Sequence, residues 1–145
     1  MSEPAENRRT ALPILIAAAM VGVVLIVSIT LRSCRSEEIS AEAGIGRAVI
    51  GQNDALQRGD YAAFRRFTCP AQQATEIQVL AEQRRSADAK GARFVDDVRA
   101  FAVDGDRATA TVVYHFERAA DDKITADMTF AREGGQWTVC SAGPR

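Results

Sequence analysis

The residues that could do chemistry in this chain are few. They are one histidine, His115, three cysteines, Cys34, Cys69 and Cys140, the adjacent carboxylates Asp96-Asp97, and Tyr114. Acid–base chemistry in a pocket needs a carboxylate or imidazole aimed inward, with a tyrosine or an acid to polarise a carbonyl. By strand alternation Tyr114 points inward, whereas His115 and Asp127 point outward and read as solvated strand positions. Asp96-Asp97 falls on an irregular strand where one of the two could face inward, though such pairs more often form a hydrated edge. One histidine and no C-x-x-C argue against zinc. No metal site, cofactor or catalytic residue is expected.

Cys69 sits between two predicted helices and Cys140 at the end of the last predicted strand. Element ends are where distant parts of a chain meet. If paired, the two tie the helices to the sheet across a loop of about 70 residues, which the chain-entropy account values at roughly 4 kcal/mol. Such a bond persists only in an oxidising compartment. The alternative is two unrelated buried thiols, and the strand alternation around Trp137 and Val139 puts Cys140 on the face opposite the core. Cys34 is left unpaired, or bridges two chains.

These residues must be positioned by one small domain. Ser36 to Arg58 reads as a helix, with Ile45, Ala48, Val49, Gln52 and Leu56 recurring at spacings of three and four. Gly44, Gly46 and Gly51 weaken it, so packing must hold it. Gly59 is a natural C-cap and Asp60 an N-cap for a short helix over Tyr61 to Phe67. Pro70 suits the first turn of a third helix running to Lys90, with Ala74, Ile77, Leu80 and Ala81 as its apolar side. The period then changes to two. Strands are expected over Phe94–Val103, Arg107–Arg118, Ile124–Arg132 and Gln136–Cys140, with hairpin turns at Asp104-Gly105 and Gly134-Gly135. Ala108, Ala110, Val112, Tyr114 and Phe116 share one face of the second strand. Ile124, Ala126, Met128 and Phe130 share one face of the third. The first strand has Val95, Phe101 and Val103 out of phase with Val98 and Ala100, from a bulge or a partly buried second face. One apolar and one polar face describe a sheet covered on one side by helices, an α+β arrangement.

Ahead of the domain, residues 11–31 form a run of 21 without a charge, an Asn or a Gln. As a helix this spans roughly 30 Å, the thickness of a bilayer's hydrocarbon core. The run is longer than a signal-peptide core, and no small-x-small site closely follows it. The expected organisation is a cytoplasmic tail over 1–10, a transmembrane helix over 11–31, a linker over 32–40 and a domain over 41–145. Arg8 and Arg9 on one side and Arg32 and Arg35 on the other give no decisive orientation. Ala18-x-x-x-Gly22 would let two such helices approach, but the pattern is common in Ala-rich spans, so a homodimer is left without support. A formal net charge of −1 gives no electrostatic case for nucleic acid.

The runs Ala55-Leu56-Gln57-Arg58-Gly59-Asp60-Tyr61-Ala62-Ala63-Phe64, Val103-Asp104-Gly105-Asp106-Arg107-Ala108-Thr109 and Gly135-Gln136-Trp137-Thr138-Val139-Cys140 resemble a set of actinobacterial membrane proteins. These join an N-terminal anchor to an extracytoplasmic domain of the nuclear transport factor 2-like (cystatin-like, lumazine-binding-like) cone fold. The resemblance implies three helices on a curved, antiparallel four-stranded sheet and a bonded Cys69–Cys140 pair. It also implies a domain outside the cytoplasm at the cell membrane, and any pocket in the cone would be lined by Tyr61, Tyr114, Phe116 and Met128. Most of these relatives are uncharacterised, and some are associated with lipid-import systems of the cell envelope. The function expected is that of a non-enzymatic module, held in the bilayer through 11–31, that binds an envelope protein partner or supports an envelope complex. A small-molecule or lipid carrier using the cone pocket is the alternative.

Overall fold

The computed structural model describes residues 40–143. The tail over 1–10, the apolar run over 11–31 and most of the linker with Cys34 lie outside the described residues. Among the described residues no helix is long and apolar enough to cross a membrane. The first helix, α1, is described over residues 40–58. It is followed by α2 (Tyr61–Arg66), a 3-10 turn (Pro70–Gln72) and α3 (Glu76–Lys90). The strands are β1 (Arg93–Asp104), β2 (Arg107–Phe116), β3 (Ala119–Glu133) and β4 (Gln136–Val139). They form one antiparallel sheet in the order β1-β2-β3-β4. The architecture is α+β, three helices and a four-stranded meander.

The 3.6-residue stripe of α1 lies against the sheet. Ala41, Ile45, Ala48 and Val49 pack with Ala108, Ala110, Val112 and Tyr114 of β2, Met128 and Phe130 of β3, and Trp137 and Val139 of β4. Two of the glycines that weaken α1 have a packing reason. A Cβ at Gly44 would fall 2.5 Å from Trp137 Cδ1, and one at Gly51 would fall 2.6 Å from the Phe67 ring. The helix comes that close only because those side chains are missing. Beyond Gln52 the stripe leaves the sheet, and Ala55 joins Ala63, Phe64 and Val79 in a second cluster under α2 and α3.

Gly59, at φ +67°, ends α1, and the Asp60 side chain accepts from the Ala63 N–H at 2.8 Å to start α2. The third helix differs from the sequence reading. It starts at Glu76 rather than Pro70, because Thr75 and Gln78 form a reciprocal capping box. Pro70 opens the separate 3-10 turn. Ile77, expected on the apolar side, is 80% exposed, and Val79 is the one buried residue of α3. The face therefore turns by two residues.

The irregularity of β1 resolves into register shifts between Val95 and Asp97 and between Arg99 and Ala102. With those extra residues Val95, Val98, Phe101 and Val103 all pack against the sheet-side core. Ala100, in the second bulge, has φ +54°. The first hairpin turn is Gly105-Asp106, one residue beyond the expected pair, since Asp104 pairs with Arg107. Glycine comes first and takes the positive φ, +58°. Gly134-Gly135 joins β3 to β4 as expected, at φ +56° and +82°. β3 begins earlier than the alternation suggested, because a Glu117-Arg118 turn pairs Phe116 with Ala119. From there to the Tyr114–Ile124 pair, β3 takes five steps against two on β2. The surplus residues bulge and carry Lys123 across the polar face.

Candidate functional site

Two polar clusters sit back to back at one end of β1 and β2, separated by the thickness of the sheet. The inner one borders a groove between the helices and the sheet. Its walls include Leu56, Phe64 and Val79 on the apolar side, Gln52, Gln83 and Arg93 on the polar side, and Ser141 to Gly143 from the chain after β4. The groove holds about 130 Å³.

The polar wall is strongly bonded. Arg93 Nε donates to Asn53 Oδ1 at 2.9 Å, while Asn53 Nδ2 and Gln57 Nε2 donate to the Arg93 carbonyl at 3.2 and 3.3 Å. The Arg93 guanidinium lies 5.4 Å from the centre of the Tyr114 ring. Burial lowers the Arg93 pKa, with Tyr114 opposing, and burial raises the Tyr114 pKa, with Arg93 opposing. The pair is therefore a guanidinium beside a neutral phenol at neutral pH. Gln52 Nε2 donates to Thr68 Oγ1 at 2.8 Å, and Thr68 Oγ1 donates to the Phe64 carbonyl at 2.7 Å.

The residues expected to line a pocket stand as follows. Tyr114, Phe116 and Met128 are buried in packed core, and the Tyr114 hydroxyl donates to Met128 Sδ at 3.0 Å. The groove walls are made by other residues. Tyr61 is half-buried, and its hydroxyl holds the carbonyl of Ala74, a groove residue, at 2.5 Å. Arg93 was not anticipated, since a charged residue opening a strand normally signals a solvated edge. Gln52 was legible as a polar residue on the apolar stripe of α1. Asn53 beside it carried no such signal.

The outer cluster gathers residues already singled out in the sequence. His115 Nδ1 lies 2.8 Å from both carboxylate oxygens of Asp96, and Lys123 Nζ donates to Asp96 Oδ2 at 3.0 Å. The His115 ring stacks on Phe94 with centroids 5.0 Å apart. Asp96 is held below the usual carboxylate range, first by the His115 hydrogen bond and then by Lys123, with desolvation opposing. Asp97 pairs instead with Arg99 at 3.1 Å, and Asp127 accepts from Thr111 Oγ1 at 2.8 Å. An Asp–His pair orients an imidazole as a general base does. Yet it stands on the polar face, and neither residue lines the groove. Neither Asp96 nor Asp97 faces the pocket.

The cysteines are brought together. Cys69 and Cys140 form a disulfide with Cα atoms 4.9 Å apart, within the normal range for such a bond. The route around the alternation problem is an extra backbone bridge. Thr68 pairs with Val139, the Cys69 N–H donates to the Val139 carbonyl at 2.8 Å, and the Val139 N–H donates to the Phe67 carbonyl at 2.8 Å. Residues 67–69 thus run along the free edge of β4, and Cys69 meets Cys140 beside that edge rather than through the core. Among the described residues no group of three or more His, Cys, Asp or Glu side chains could hold a metal ion.

No protein-family profile matches the chain, and no curated protein does. Solved structures do resemble it. One is a candidate NTF2-like transpeptidase from Campylobacter jejuni, 18% identical, covering 73% of this chain and 98% of that one at a TM-score of 0.45. A candidate dehydratase of the NTF2-like family from Streptomyces avermitilis is 18% identical, covering 70% and 92% at 0.46. An NTF-2-like protein of unknown function from Shewanella oneidensis is 15% identical, covering 67% and 92% at 0.42. At these identities and scores no site residue is carried across.

Proposed function

We propose that the chain is a single-pass membrane protein of the nuclear transport factor 2-like type. In this reading its domain lies outside the cytoplasm and serves as a non-enzymatic module, docking an envelope protein or supporting an envelope complex. The observation that carries the reading is the Cys69–Cys140 disulfide, since such a bond persists in an oxidising compartment. The uncharged run over 11–31 supplies the anchor. The disulfide supports an amino terminus in the cytoplasm, where the flanking arginines balance and do not decide.

Two features support a docking module over an enzyme or a carrier. The Asp96–His115 pair stands away from the groove, so the one oriented imidazole does not face it, and the carboxylate in the groove lining is Glu82 of α3. The groove, at about 130 Å³, is well below the roughly 300 Å³ at which small-molecule pockets begin.

The test is peptide mass spectrometry on native membranes without reductant, combined with labelling of the intact cells by a membrane-impermeant amine reagent. The Cys69–Cys140 linked peptide and labelling at Lys90 or Lys123 are expected. Free thiols with both lysines protected would place the domain in the cytoplasm and overturn the reading.

A further inference from the structure

A second cavity, away from the groove, lies between the start of α1 and the β3–β4 hairpin. It holds about 280 Å³ and is lined by Ser40, Gly44 and Arg47 on one side and by Arg132, Gln136 and Trp137 on the other. Three of these residues present unused donors to it. Arg47 has no hydrogen-bond or ion-pair partner among the described residues. Arg132 donates through Nε to Asp106 Oδ1 at 2.8 Å, which leaves its two Nη groups without an acceptor there. Its guanidinium lies 5.5 Å from the centre of the Trp137 ring.

Trp137 is the telling residue. It is only 4% exposed, yet no acceptor among the described residues takes its indole N–H, and that nitrogen is not sealed from solvent. The N–H edge faces Gly44, where an added Cβ would lie 3.3 Å from Nε1. A buried tryptophan normally satisfies its N–H. Here the nitrogen belongs to a wall of the cavity whose lining also includes Arg47 and Arg132. The only carboxylate among these contacts, Asp106, is exposed and engages Arg132 on its Nε edge.

The geometry points to a seat for the phosphoryl group of an anionic membrane lipid. Two guanidinium forks and an indole N–H approach from different elements, which suits a tetrahedral oxyanion with several acceptor oxygens. The volume accepts a headgroup and not an acyl chain, being just below the size of drug-sized pockets. The lipid source rests on the reading of residues 11–31 as an anchor. Ser40 lines the cavity, and residues 32–39, which separate it from the apolar run, reach at most roughly 28 Å when fully extended. They include Arg32 and Arg35. Eight residues of chain therefore join the edge of the cavity to the apolar run.

Trp137 is the single tryptophan of the chain, so its emission reports on the cavity without labelling. The full chain, reconstituted in nanodiscs of phosphatidylcholine alone or mixed with phosphatidylglycerol, is compared with the Arg47→Gln/Arg132→Gln double variant and with Arg84→Gln as a surface control. A second titration adds inorganic phosphate to the phosphatidylcholine discs. The expected result is a saturable emission change with phosphatidylglycerol, weakened about tenfold or more in the double variant, as loss of charged hydrogen bonds predicts, and unchanged in Arg84→Gln. No saturable change, or an equal one in the double variant, overturns the proposal. A response complete with inorganic phosphate and not increased by phosphatidylglycerol overturns the lipid source. Carbonate extraction of native membranes tests the anchor separately. A chain that resists extraction but ignores phosphatidylglycerol sinks this inference alone, whereas one that is extracted and still responds sinks the anchor alone.

Discussion

The two apolar clusters of this domain share α1 and differ in almost everything else. On the sheet side twelve buried residues come from α1, β2, β3 and β4, with Phe130, Ile45, Met128, Val49, Val112 and Val139 fully buried. On the helix side four residues suffice, Ala55, Ala63, Phe64 and Val79, and α3 supplies only the last. The first cluster is held by burial across the sheet. The second depends on end effects, since α3 is fixed by its Thr75–Gln78 capping box and α2 by Asp60. Hydrophobic area is what resists global unfolding, while caps and small clusters open locally at lower cost. The groove takes Phe64 and Val79 of the helix-side cluster into its wall and none of the twelve sheet-side residues.

The comparison breaks most visibly at its strong end. Phe130→Ala should cost about 3–5 kcal/mol in denaturant unfolding, because it opens a cavity in a fully buried layer. Val79→Ala on the helix side should cost about 1.5 kcal/mol, the transfer of two methylene equivalents. Equal losses would show that the two clusters form one core. The disulfide comes next, since it joins the helix side to the edge of β4. Its 71-residue separation puts Cys69→Ser/Cys140→Ser at about 2–4 kcal/mol, read as a lower unfolding midpoint in non-reducing buffer only. A midpoint equal to that of the untreated protein would mean that the backbone bridge at Thr68 and Val139 already holds this edge.

The same contrast explains what was legible beforehand. Long elements with steady periods, α1 and β2, could be read because burial on one face dictates every third or second residue. β1 could not be phased, because two bulges reset its alternation and a single chain does not announce where a ladder slips. Two start signals compete for α3, Pro70 and Thr75-x-x-Gln78, and the capping box wins while Pro70 opens only the 3-10 turn. The buried side of α3 is not legible either, because one buried valine leaves no period to find. The cysteines were placed by their positions at element ends, but the bridge along β4 that joins them depends on tertiary contact. Arg93 was invisible for the same reason: what makes it a groove residue is Asn53, forty positions away.

Smaller effects sharpen the contrast at its weak end. Thr75→Ala removes the hydroxyl half of the capping box, leaving the backbone N–H of residue 75 to donate to Gln78 Oε1, and should cost about 1 kcal/mol, with faster amide exchange confined to the first turns of α3. Ile77→Ser should change stability by less than about 0.5 kcal/mol, because the side chain is exposed. If Ile77→Ser instead unfolds α3, the helix is packed by a face that the described residues do not show.

The smallest change is expected on the outer face, where the cluster has no core to lose. Asp96 is held below the usual carboxylate pKa, so its pairing with His115 and Lys123 stabilises the folded state above the unfolded value, near pH 4. That contribution is lost as pH falls through the lower, folded pKa. The stability gap between the wild type and Asp96→Asn should therefore shrink below about pH 4. Because the group is solvent-accessible, raising the salt concentration should narrow the gap at neutral pH as well. A gap that widened with acid would reverse the sign. It would mean that protonated Asp96 is the form this face prefers, and that His115 is then held by Phe94 rather than by the carboxylate.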